Sequence, residues 1–221
     1  MDLETLVNEV ALILQDSSFT EANIITRLNE AQLEIAGGMP SNLGSWLTPP
    51  LPGLLTIGKV DTATDAAYVA MPDGTGVYAD FQRDLQFVAS SDGVEIDLAD
   101  SFRSFVETYP LLDKSGQITE CCEFGNKFYY QGIPTTSEEV TIHYYRFPTD
   151  MADDADEPDG IPKHLHRALL VNHVCWKIYE LIEDGTEEAG ANTKKYLDLF
   201  LAAMYKLELF IPYENRPFIS M

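Results

Sequence analysis

The sequence predicts an α+β protein, a helical bundle formed by N- and C-terminal helices with an inserted antiparallel β-sheet or sandwich. Three observations predict it. Apolar residues recur at helical spacing at both ends of the chain, Pro and Gly punctuate the middle at short intervals, and between those breaks lie short β-branched and aromatic runs. The boundaries that follow are 1–47 and 149–210 for the helical body, 48–148 for the β-rich insert and 211–221 for an extended C-terminal tail.

Leu3, Leu6, Val7, Val10 and Leu14 form one stripe with Asp2, Glu4 and Glu9 outside it, which predicts an amphipathic helix over 2–15. After Asp16, Thr20 is placed to cap a second helix whose stripe runs Ile24, Ile25, Leu28, Ala31, Ile35. Gly37 and Gly38 before Pro40 end it. Strands are expected at 54–60, 67–71, 85–89, 94–98, 118–124, 127–131 and 140–147, with a short helix within 98–109 and a tight turn at Gly125-Asn126 that pairs its flanking runs as a hairpin. Pro162 suits the first turn of a helix running to about Glu183. Leu165, Leu169, Trp176, Tyr179 and Ile182 line one side of it and Leu170, Val174, Ile178 and Leu181 another, so this helix is expected to be central. Gly185 breaks it. The last helix carries Ala189, Thr193, Tyr196, Phe200, Ala203, Leu207 and Phe210 at alternating steps of four and three, and two prolines keep the residues beyond Phe210 out of helix.

Thirty-six acidic side chains against fourteen basic give a formal charge of −22, which opposes ordinary binding to nucleic-acid phosphates; any role beside DNA has to be one of repulsion. Simple solubility, or a salty habitat, is the alternative explanation. The adjacent pair Cys121-Cys122 points to opposite faces of a strand, so the three cysteines suit reduced thiols better than a disulfide framework. No apolar run reaches the ~18 residues of a membrane span, and the start lacks a signal peptide's basic residues, so cytosolic synthesis without a membrane partner is expected.

Chemistry is harder to find. His164, His166 and His173 with Cys175 suggest a metal, yet only His166 and His173 share a helix side, and about 10 Å apart they are too distant for one ion. The acidic loop with Asp150, Asp153, Asp154, Asp156, Glu157 and Asp159 lacks the spacing of a calcium loop, and solvation explains it. Serine-hydrolase, P-loop, dinucleotide and zinc-protease motifs are missing, and among so many acids a glycosidase-like carboxylate pair says nothing. Neither cofactor nor catalytic residue is therefore expected. Trp46, Phe128, Tyr129, Tyr130, Tyr144 and Tyr145 would suit a sugar groove, although strand-borne aromatics are more often sheet core. Ile211, Tyr213, Phe218 and Ile219 place apolar groups on the tail, which is either a frayed end or a docking segment.

In order along the chain, Gly37-Gly-Met-Pro40, Tyr68-Val-Ala-Met-Pro72, Phe105-Val-Glu-Thr-Tyr-Pro110, Gly125-Asn-Lys-Phe-Tyr-Tyr-Gln-Gly-Ile-Pro134, Val140-Thr-Ile-His-Tyr-Tyr-Arg-Phe-Pro148 and the step from acidic loop to Ile161-Pro-Lys-His-Leu-His166 resemble the head-to-tail adaptor, or connector, proteins of tailed bacteriophages, those of short-tailed phages in particular. The resemblance implies a ring, typically of twelve copies, beneath the portal of a filled capsid. It also implies a virion neck location after assembly in the host cytoplasm, with portal protein, tail or nozzle proteins and further copies of itself as partners. Genomic DNA would pass without specific binding. Helices would pack between neighbouring subunits, with Trp176, Tyr196, Phe200 and Leu207 as the packing side chains. The C-terminal extension would grip the portal through Ile211, Tyr213, Arg216, Phe218 and Ile219. An acidic lumen, with the first 58 residues as its candidate lining because Arg27 is their only base, would let the genome slide. The competing readings are a cell-wall glycan hydrolase and a carbohydrate-binding tail module.

Overall fold

Helices at both ends of the chain flank a central run of strands, so the fold is α+β, the class that the apolar periodicity predicts. The structure is a computed structural model that describes residues 1–37, 50–183 and 190–211. Two compact units emerge. One is helical, built from the described residues of Met1–Leu54 and Pro148–Met221; the other, Leu55–Phe147, holds all the described strands.

In the helical unit α1 (Leu3–Leu14) starts where the Asp2 carboxylate accepts the Thr5 N–H at 3.1 Å, and it buries Leu3, Leu6, Val7 and Val10. Thr20 precedes α2 (Glu21–Gly37), and the two ends of a capping box meet there: Asn23 N donates to Thr20 Oγ1 at 3.4 Å and Thr20 N to Asn23 Oδ1 at 3.3 Å. Ile24, Leu28, Ala31 and Ile35 turn inward as their spacing predicts. The expected helix after Pro162 opens as a 3₁₀ turn (Lys163–Leu165) and a π-turn (Arg167–Val171) before becoming α4 (Asn172–Glu183). Asn172 Nδ2 donates back to the Ala168 carbonyl at 2.8 Å, supplying that wide turn with a side-chain partner. The central place of this helix holds for most of its length, since α1, α2 and α5 (Ala191–Phe210) all pack on α4; Leu181 and Ile182, expected inside, are exposed at its end.

Seven strands form the second unit: β1 (Leu55–Asp61), β2 (Tyr68–Ala70), β3 (Phe81–Ala89), β4 (Asp97–Leu98), β5 (Glu120–Glu123), β6 (Lys127–Tyr130) and β7 (Glu139–Arg146), with α3 (Phe102–Thr108) between β4 and β5. They make a three-stranded sheet, β1-β7-β3, and a four-stranded one, β2-β6-β5-β4. Gly125 and Asn126, both at positive φ (59° and 60°), form the two-residue turn that pairs Glu123 with Phe128. One pair is parallel: α3 carries the chain back so that β5 runs alongside β4 in the same direction. Phe128, Tyr130, Val140, Ile142 and Tyr144, alternate residues of β6 and β7, are fully buried in a shared core with Val88 of β3. All three cysteines are free and buried, and burial pushes the Cys175 thiol up to about 12, which keeps it protonated.

Candidate functional site

The acidic loop is a clasp as well as a solvated run, since Asp150, Asp153, Asp154 and Glu157 are exposed as expected. Its backbone carbonyls at Asp156 and Asp154 accept the Leu3 and Glu4 N–H groups at 2.8 and 3.1 Å, satisfying donors that the first turn of α1 leaves open. Its carboxylates serve the loop's own backbone: Asp156 Oδ2 accepts from Ala152 N and Asp153 N, both at 2.8 Å, and Asp159 Oδ2 accepts from Thr149 N at 2.9 Å. These bonds hold the Asp156 carboxyl below the usual carboxylate range. Two side chains of α2 close the clasp. Fully buried Gln32 donates to Thr149 O and accepts from Asp159 N, and Asn29 exchanges two bonds with the Met151 backbone, all at 2.8 to 3.0 Å.

The histidines are structural joints. Buried His166 lies 2.8 Å from the Ile161 carbonyl through Nε2 and 3.2 Å from the Met1 backbone nitrogen through Nδ1, and burial lowers its pKa. His173 is 2% exposed, donates through Nε2 to Glu34 of α2 at 2.9 Å, and meets Trp176 and Phe200 edge-on at 5.4 and 5.0 Å. Burial depresses its pKa more than the Glu34 carboxylate raises it. His164 sits beside the Phe210 ring. Among the described residues no group of three or more His, Cys, Asp or Glu is placed to hold a metal ion.

Of the side chains expected to pack between subunits, Tyr196, Phe200 and Leu207 lie in the chain's own core at 8%, 2% and 0% exposure, and Trp176 is half-buried with its ring stacked on Phe200 at 5.9 Å. The periodicity that singled out Tyr196, Phe200 and Leu207 marks the inward side of α5. The outward side carries Leu201, Tyr205 and Leu209, which sequence reasoning passed over because they fall between the inward positions. Ile211, expected on the docking tail, is buried at 1% and its N–H bonds the Leu207 carbonyl, so it closes the helix instead. Tyr213, Arg216, Phe218 and Ile219, like Trp46, Gly185 and Ala189, lie outside the described residues.

A carboxylate caps α5 from a distance in sequence. Gly190 at its start has no side chain to offer, and Glu183, the last residue of α4, accepts from Asn192 N, Thr193 N and Thr193 Oγ1 at 3.2, 3.0 and 2.7 Å. Those donors bring its carboxyl from the ordinary 4.5 down to about 2. A depressed carboxylate contributes stability that is fully present above its unfolded pKa, here about 4.5, and is lost as pH falls through about 2. Glu183→Gln is expected to show a smaller loss of helical signal across that acid window than the parent. Circular dichroism melts at neutral and acid pH check this, and equal acid sensitivity would refute it.

Around these joints the surface is acidic. Glu4, Glu21, Glu30 and Glu34 are exposed on α1 and α2, and among the described residues Glu4 and Glu21 have no cationic partner. The sugar-groove aromatics divide: Phe128, Tyr130, Tyr144 and Tyr145 are core, whereas half-buried Tyr129 joins a chain of rings with Tyr68, Phe102 and Phe124 that pack chiefly on one another. Among the described residues no helix is long and apolar enough to cross a membrane. The family model described as SU10 adaptor protein matches residues 1–215. No curated protein matches the chain.

Proposed function

Because the chain belongs to the SU10 adaptor protein family, and is therefore a phage adaptor protein, we propose that it is the head-to-tail adaptor of a tailed phage virion, forming a ring under the portal that joins capsid to tail. The family match over residues 1–215 carries this reading. Portal protein, tail or nozzle proteins and further copies of the chain are its partners, and its work is contact without catalysis.

Charge supports a channel role. Each copy brings −22, a ring multiplies it, and phosphate backbones are repelled from whatever acids line the opening. Screening confines that repulsion to about 10 Å at 0.1 M salt, so it acts only from lumen-facing side chains. The exposed acids of α1 and α2 are the candidates, since Arg27, the one base there, is already paired with Glu30 at 2.8 Å.

Mass photometry of the full chain, alone and beside its own portal ring, tests the proposal. Ring-sized masses on the portal are the expected result; a chain that stays monomeric there overturns it. The tail proposal has a separate test. Removing residues 212–221 while keeping Ile211, which belongs to the core, is expected to lower portal affinity at least tenfold with an unchanged melting temperature. Unaltered affinity would show that the tail does not grip.

A further inference from the structure

One side of α5 has no partner among the described residues of its own chain. Its inward side packs on α4 and the π-turn, while directly opposite, at steps of four, Leu201, Tyr205 and Leu209 are 38%, 57% and 62% exposed. Apolar side chains aligned over two turns form a stripe, where scattered single ones would need no explanation.

The charges on this helix run against the rest of the molecule. Lys194, Lys195 and Lys206 outnumber Asp198 and Glu208, which makes α5 the only described α-helix with more bases than acids in a chain of net charge −22. With carboxylates so abundant, a lysine is expected to find one. Lys194 and Lys206 nonetheless have no ion-pair partner among the described residues, and Lys195 lies over the Tyr196 ring.

The matching residues are present on the same chain, on α1 and α2, whereas α5 packs chiefly on α4 and the π-turn. Leu12 of α1 and Leu33 of α2 are 72% and 45% exposed. Among the described residues Glu4 and Glu21 stand on the same two helices without cations, α1 has no base, and Arg27 of α2 is occupied by Glu30. A helix side with exposed apolar residues on a helix of net positive charge, Asp198 being the one acid on the stripe itself, and two net acidic helices with exposed leucines and unpaired glutamates are complementary in both respects.

We propose that the outward side of α5 in one copy seats against the α1–α2 surface of the next. This rests on the ring reading above and names the faces that would build the ring. The contact is heterologous, one patch meeting a different one, which is the kind that propagates from copy to copy until rotation closes it. An α5–α5 pairing would set lysines against lysines. A portal or tail protein on this stripe would leave the chain's own complement unused.

The test is a charge reversal in two halves, with oligomer mass on the portal ring read by mass photometry and folding by circular dichroism. Lys194→Glu with Lys206→Glu in one variant, and Glu4→Lys with Glu21→Lys in another, are each expected to fold and to weaken assembly by roughly tenfold or more. An equimolar mixture is expected to recover it, because each reversed face then meets its opposite. Either variant assembling like the parent, or a mixture that fails to recover, overturns the assignment of these faces while the parent's ring stands. Failure of the parent itself to gather on the portal removes the ring reading, and this contact with it.

Discussion

Gly160→Ala is expected to destabilise the helical unit by about 2–5 kcal/mol, combining the left-handed backbone penalty of about 1–2 with an overpacking cost of about 1–3. Gly160 ends the acidic clasp at φ +74°, and a Cβ there would stand 2.6 Å from Leu54 Cγ and 2.8 Å from its Cδ2. Leu54 has no free space to yield into, being 1% exposed, and the opposing backbone is as close: a Cβ on Gly53 would lie 3.0 Å from Gly160 Cα. Urea unfolding followed by helical circular dichroism measures the loss. Adding Leu54→Ala relieves the collision while leaving the backbone strain, so the two changes together are expected to cost less than their sum. A single variant within 0.5 kcal/mol of the parent, the range of ordinary surface changes, would show that the close approach is not real.

In the β unit the largest effect is expected at Tyr130, where truncation to alanine costs about 3–5 kcal/mol. Its ring is fully buried beside Phe128, and its hydroxyl accepts from Ala63 N and donates to Ala66 O, both at 2.8 Å. That oxygen therefore ties the β1–β2 connection to β6, a place where backbone groups otherwise lack a ladder. Tyr130→Phe keeps the ring and loses the tie, with an expected cost of about 1–3 kcal/mol from the stranded backbone groups. Tyrosine fluorescence against urea, with a β-sheet signal in parallel, separates the two variants; a Tyr130→Phe variant as stable as the parent would mean that the hydroxyl contributes nothing.

Local signals carried most of the fold. Each of the seven strands and five α-helices among the described residues overlaps a segment that alternation, capping and Gly/Pro breaks mark out, because each rests largely on chemistry within a few residues, as in the Gly125-Asn126 turn and the Thr20 cap. The misreadings involve partners far away in sequence. β3 begins at Phe81 instead of Leu85 because β7 supplies hydrogen bonds across a bulged register that includes Asp84 at φ 55°, and no pattern within the strand announces it. The acidic loop looked like excess charge since its bonding partners, Gln32 and the first turn of α1, lie more than a hundred residues upstream.

The functional surfaces were legible only in part. Spacing identified which side of α5 is apolar and inward, and a buried stripe and a contact stripe look alike until the partner helix is seen; Tyr196, Phe200 and Leu207 fall in the first class. The outward stripe is a second, sparser series, interrupted by Lys194 and Asp198, and its meaning depends on which lysines remain unpaired in three dimensions. His173 presented a similar ambiguity: a histidine near a cysteine on a helix, it is a buried joint to Glu34.

β1 opens the strand-rich unit and β7 closes it, and the two lie side by side with Leu55 opposite Tyr145. Departure and return thus share one seam, about 5 Å wide as neighbouring antiparallel strands are. A segment moored at a single seam is a cassette: its length, loops and surface are free to change without moving the ends it presents to the rest of the chain.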